Sequence, residues 1–348
     1  MLAIFLLTIL VAGARAALKF KGVDWSSLLV EEAAGYTYKT KGGKTEPLEN
    51  ILVASGVNTV RQRIWVNPSD GNYNLDYNLK LARRAQAAGL EIYLDLHFSD
   101  KWADPLNQEI PSGWPTSIED LSWRLYNYTQ DVSNAFAEAG ISPSIISIGN
   151  EITAGLLFPT GSISSFYNIA TLLHSASSGI KYSNLATQPQ IMIHLDNGWN
   201  WETQKWWYTS VLDAGPLASG DFDVMGVSYY PFYGESATLA ALKKSLHNMA
   251  STWGKSIMVV ETNWPFACPS PKFPFPPDVD AIPRSVAGQK TWMKDVAAIV
   301  AGVSGGSGIF YWEPAWIRNG GLGSSCWDNL LVEQTGEVRS SLGVFAKI

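Results

Sequence analysis

Eight short runs of aliphatic and β-branched residues recur along the chain, and each ends in polar or aromatic residues. In order they are "LKFKGVDWS", "VNTVRQRIWVNP", "EIYLDLHFSD", "IISIGNEI", "QIMIHLDNG", "FDVMGVSYYP", "SIMVVETNWP" and "SGGSGIFYWEP". They are apolar on successive positions rather than in alternation, the pattern of parallel strands covered on both faces. Between them lie longer stretches with helical periodicity. "NLDYNLKLARRAQAAGL" stops at Gly89, and "SIEDLSWRLYNYTQDVSNAFAEAG" has Ser117 and Asp120 near its start and stops at Gly140. Eight strands alternating with seven or eight helices predict an α/β chain of one domain, a (β/α)8 TIM barrel. The proline-rich stretch 268–277 interrupts this alternation without ending it, so it reads as a loop.

Such a barrel builds its working site at the C-terminal ends of the strands, and the polar residues of this chain gather there. Strand four delivers Asn150 and Glu151, and strand seven delivers Glu261. Two carboxylates facing across a cleft are what cleavage of a glycosidic bond requires, one as acid and one as nucleophile or base. The alternative is that each Glu is a strand-end residue paired with a nearby Arg. Two such sites, followed by a third strand ending in "FYWEPAW", weigh against it. Other tips carry Asp24, Arg63, His97, and the group His194, Asp196 and Asn197. For Arg63 a structural ion pair is the competing reading, and for the two histidines a satisfied core position.

Residues 1–16, "MLAIFLLTILVAGARA", have an apolar core followed by Ala14-Arg15-Ala16. They read as a secretory signal peptide cut after Ala16, leaving residues 17–348 as the barrel domain. No later run is apolar and long enough to span a bilayer, so a secreted, extracellular protein without a membrane partner is expected. The net charge of −6 comes without a basic stripe, which argues against nucleic acid. Fifteen Trp and fourteen Tyr, many in polar segments, suit the apolar faces of sugar rings and point to a polysaccharide partner. The two cysteines, Cys268 and Cys326, are expected to pair in an oxidising compartment. Asn127-Tyr128-Thr129 is a glycosylation sequon within a predicted helix, usable only on an exposed face. Four isolated His without a His-x-His or His-Glu-x-x-His pattern argue against zinc; no metal and no cofactor are expected, and the chain is read as a monomer.

The motifs "GVDWSS", "RQRIWVNP", "LDLHFSDKWADP", "GNEITAGLL", "ETNWP", "SYYPF" and "YWEPAW" run from strand one to strand eight. With them the chain resembles the clan of retaining barrel glycosidases, and within it the endo-β-1,4-galactanases of glycoside hydrolase family 53. The resemblance implies Glu151 as acid/base, Glu261 as nucleophile, and Asn150 as donor to the sugar 2-OH. It implies Arg63 beneath Glu261, keeping it ionised, and Tyr230, or else Tyr229, hydrogen-bonded to the nucleophile. Trp312 resembles the platform under the sugar that is cut, while Asp24, Trp102, Asp196, Asn197 and Trp316 resemble subsite residues. Phe158 stands where the family often has Trp. Where bacterial relatives bind calcium, between the loops after strands seven and eight, this chain has its two cysteines, so a disulfide in place of the ion is expected. The implied activity is endo-cleavage of β-1,4-galactan. A mannanase or cellulase of the same clan is the rival reading, and a non-catalytic carbohydrate-binding barrel a more distant one.

Overall fold

The computed structural model describes residues 17–348; the signal peptide expected at 1–16 lies outside the described residues. Eight parallel strands close into a barrel: Phe20–Asp24, Thr59–Ile64, Glu91–Leu96, Ile145–Ile148, Gln190–Leu195, Val224–Ser228, Ser256–Glu261 and Gly306–Tyr311. In chain order these are the first to the eighth strand. Eight α-helices among the described residues cover the outside, two of them short and both between the first and second strands. The six long helices each begin at a Ser, Thr or Asn whose side chain accepts a hydrogen bond from the first turn: Asn74, Ser117, Ser165, Asn200, Thr238 and Ser285. Such caps stabilise a helix end by about 1 kcal/mol each and fix where it starts.

The inside of the barrel is layered. Its lower half is filled by Phe20, Tyr93, Ile145, Met192, Val224, Met258, Val260 and Phe310. These large side chains leave room for nothing opposite them. A Cβ on Gly22 would sit 2.2 Å from the Phe310 ring, and one on Gly226 would sit 2.4 Å from the Met192 sulfur. Because side chains of a strand return to the same face every second residue, the next inward positions are fixed by sequence. Phe20 leads to Asp24, Tyr93 to Asp95 and His97, Ile145 to Ser147, Met192 to His194, and Val224 to Ser228. An apolar plug thus carries a polar layer above it.

The strand register is irregular in two places: between Gly306 and Gly308 at the start of the eighth strand, and at the end of the seventh strand, where it bears on the site. The register of the seventh strand with the sixth runs Gly226 to Met258 and Val227 to Val259, then jumps to Ser228 opposite Glu261. Val260 is the extra residue of a bulge. Met258 and Val260 both fill the barrel interior, so without the bulge Glu261 would point into the helix layer. The bulge turns its carboxyl back to the barrel axis.

Candidate active site

The ends of the strands enclose a cleft of about 700 Å³. Its lining includes Arg61, Arg63, His97, Trp102, Asn150, Glu151, Asp196, Asn197, Ser228, Tyr230, Tyr233, Glu261, Asn263, Trp312 and Trp316.

Glu151 stands just past the fourth strand, at the tip "GNE". Gly149 has φ +113°, and a Cβ there would meet the Ile152 side chain at 2.7 Å, so only glycine lets the chain turn this tightly. Glu151 itself adopts φ +50°. A non-glycine residue held in the left-handed region costs on the order of 1–3 kcal/mol and persists only where its surroundings enforce it. Asn150 is anchored at both ends of its amide: Oδ1 accepts from Arg61 Nη2 at 2.8 Å, and Nδ2 donates to the Ala103 carbonyl at 2.8 Å. One amide hydrogen of Nδ2 is left over by this arrangement.

Glu261 is held by two donors. Arg61 Nη2 lies 2.7 Å from its Oε1, and the Tyr230 hydroxyl donates to its Oε2 at 2.7 Å. The same guanidinium bonds Asp24 at 2.7 Å and Asp95 at 2.6 Å. Here the structure corrects the sequence reading: the arginine at Glu261 is Arg61, two residues before Arg63 and on the same inward face of the second strand. Arg63 instead pairs with Glu313 at 2.6 Å, the structural ion pair that was its competing reading. Its guanidinium lies 4.3 Å under the Trp102 ring and 4.2 Å from that of Tyr73, so it supports the aromatic wall of the cleft.

Electrostatically the layer is acidic. Asp24, Asp95, Glu261 and Glu313 surround two guanidiniums, all essentially out of water. Burial pushes Glu151 well above the usual carboxyl range, and the charges on Glu261 and Asp196 add to it. Glu261 is also raised by burial, but Arg61 and the Tyr230 hydrogen bond pull it back toward the ionised form. The environments therefore separate the two carboxyls, with Glu151 the better proton holder, as an acid and base pair requires. Burial raises Glu313 to about 7 against the pull of Arg63 and of Ser27, whose amide and hydroxyl both donate to it.

The remaining expected residues divide by depth. His97 lines the cleft. Its Nδ1 receives the Trp65 indole N–H and the Ala103 amide, both at 3.2 Å, which leaves its proton on Nε2 toward Asp95 at 3.0 Å. It is a neutral brace, and burial lowers its proton affinity further. His194 lies beneath the cleft, fully buried, with Nε2 2.9 Å from the Ser228 hydroxyl; burial drives its pKa down to about 3. Asp24 is corrected in the same sense: it is 1% exposed and spends its oxygens on Arg61 and Ser26, so it supports the site from below. Tyr229 points the other way, stacked on Trp292 with its hydroxyl on the Ala237 carbonyl. Trp102 stacks on Trp316 at 6.1 Å and meets Trp312 edge-on at 6.1 Å, forming one wall of the cleft. Asp196 and Asn197 sit at its rim, joined by a 2.5 Å hydrogen bond, with Asn197 in the left-handed region at φ +50°.

Sequence reasoning missed Arg61, Asp95, Ser228 and Asn263. The signal for the first three was the two-residue step along each strand, which places Arg61 with Arg63, Asp95 with His97, and Ser228 with Val224. The disulfide is formed: Cys268 and Cys326 join the loop after the seventh strand to the loop after the eighth. Asn127 is exposed on the helix Ile118–Glu138. No helix among the described residues is long and apolar enough to cross a membrane.

A closed barrel whose polar tips form a carboxyl-bearing, aromatic-walled cleft defines a glycoside hydrolase of the (β/α)8 class. The chain belongs to glycosyl hydrolase family 53, whose model matches residues 20–345. It is 62% identical to an arabinogalactan endo-β-1,4-galactanase of Thermothelomyces thermophilus, over 95% of this chain and 100% of that one. A solved structure described as one of two fungal β-1,4-galactanases superposes with a TM-score of 0.95 at 62% identity, over 95% of this chain and all of that one. The GH53 catalytic domain of Ignisphaera aggregans superposes at 0.83 with 28% identity, over 96% of this chain and 97% of that one.

Proposed function

We propose that this protein is a secreted, monomeric, retaining endo-β-1,4-galactanase that cuts the galactan side chains of pectin. The observation that carries the mechanism is the asymmetry of the two cleft carboxyls: Glu261 is clamped by Arg61 and Tyr230, while Glu151 has its proton affinity driven up. Glu151 gives its proton to the glycosidic oxygen as that bond breaks, and a Glu261 oxygen bonds to the anomeric carbon. Glu151, now a carboxylate, then takes a proton from the water that displaces Glu261, and both groups return to their starting states. The free hydrogen on Asn150 Nδ2 meets the sugar 2-OH, and Trp312 with Trp102 and Trp316 supplies the apolar face on which the rings lie.

Selectivity falls to the rim. A site that pairs with an axial 4-OH leaves its own polar groups unsatisfied when an epimer presents that hydroxyl elsewhere, at roughly 1–3 kcal/mol for each lost bond. The galactanase names of the 62% identical relatives favour galactose for that role. Secretion is supported by the N-terminal sequence and by the disulfide, a bond of oxidising compartments. The test is reducing-end release from potato-type galactan, carboxymethyl cellulose and mannan under the same conditions. Galactan is expected to be cut fastest into short galacto-oligosaccharides; faster cutting of either other polymer assigns the protein to the rival clan activity.

A further inference from the structure

The outer face of the helix Ile118–Glu138 carries a feature that the cleft does not use. Trp123 is 63% exposed, an unusual state for an indole, and Tyr126 stands edge-on to it at 5.8 Å. One turn further along, on the same face, is the exposed Asn127 of the sequon. Residues four apart on a helix are neighbours. Helical side chains also lean toward the N-terminus, so whatever Asn127 carries extends over the turn of Trp123 and Arg124. Arg124 is drawn aside to stack on Trp114 at 5.0 Å, which leaves the indole as the open surface there.

The third sequon residue adds timing. The Thr129 hydroxyl is fully buried and bonds the Tyr126 and Ala176 carbonyls at 3.1 and 3.0 Å. The hydroxyl is close-packed in the seam with the helix Phe166–Lys181, where a Cβ on Gly179 would lie 2.2 Å from it. With Thr129 buried, the sequon is readable only before the two helices dock, so a sugar at Asn127 would have to be attached to the unfolded chain.

We infer that Asn127 carries an N-glycan whose first N-acetylglucosamine packs its apolar face on the indole of Trp123, covering an otherwise wet aromatic and stapling the first half of this helix. The inference rests on the proposal that the protein is secreted. The test compares the protein secreted by a fungal host with its Asn127→Gln, Trp123→Ala and double variants, after mass determination of the N-terminus and of the Asn127 peptide. Asn127→Gln is expected to lower Tm by roughly 2 °C when Trp123 is present and to have no effect in the Trp123→Ala background. Trimming the glycan to one sugar is expected to keep the stabilisation, and Trp123→Phe to keep part of it. Equal losses with and without Trp123, or an unmodified Asn127 in a chain that begins at Ala17, would overturn the inference. A chain retained in the cell with residues 1–16 attached would instead refute secretion and remove the inference with it.

Discussion

At the scale of single residues the site turns on Arg61, one guanidinium shared by Asp24, Asp95, Asn150 and Glu261. Removing one partner of a buried charge cluster leaves the rest uncompensated, at about 3–5 kcal/mol. Arg61→Met is expected to lose that stability in denaturant unfolding and also to lower kcat/KM on the order of 10²–10³-fold, as when a preorganised charge is removed. Arg63→Met breaks the pair with Glu313, so a comparable loss of stability is expected, with kcat reduced on the order of tenfold or less, about 1.4 kcal/mol. Tyr230 gives a pH readout. Its hydroxyl stabilises ionised Glu261 and lowers its pKa. In Tyr230→Phe that pull is gone, Glu261 protonates at higher pH, and the acid limb of the kcat/KM profile is expected to move to higher pH. The alkaline limb, which the proposed mechanism assigns to loss of the Glu151 proton, is expected to stay near its place. An acid limb that stays fixed or moves down would contradict the assignment. The second strand also shows why residue roles were only partly legible in sequence. Arg61 and Arg63 share one face, and which of them meets Glu261 depends on depth in the barrel, a quantity that a linear pattern does not carry.

At the scale of elements, the strands and long helices could be read directly, because parallel strands buried on both faces advertise themselves as apolar runs and the helices carry strong caps. The bulge at Val260 could not. "MVVE" reads as an ordinary strand, and the extra residue appears only when its register is laid against the sixth strand. The depth of Asp24 and His194 and the outward turn of Tyr229 were hidden for the same reason: a strand tip in sequence spans both the support beneath the cleft and the cleft itself. The disulfide links elements that are adjacent in space and 58 residues apart in sequence. It closes a loop worth roughly 4 kcal/mol in the chain-entropy model. Since it ties two rim loops and no barrel strand, the Cys268→Ser/Cys326→Ser protein is expected to fold and to cut substrate at low temperature. Its thermal inactivation is expected to be markedly faster. Failure to fold at all would show that the bridge supports the barrel itself.

At the scale of the whole molecule, an apolar plug at the base of the barrel fixes the strands, a charged layer rests on it, and the cleft opens above. The charged layer is costly to bury; its Arg61 half acts on Glu261 directly, and its Arg63–Glu313 half supports the aromatic wall of the cleft. The central claim is a double displacement at Glu151 and Glu261, and the stereochemistry of the first product tests it most directly. Proton NMR of β-1,4-galactan during the first minutes of hydrolysis, before mutarotation mixes the anomers, is expected to show the new reducing end appearing in the β configuration. Initial appearance of the α anomer would mean single displacement by water, and would contradict a nucleophilic role for Glu261.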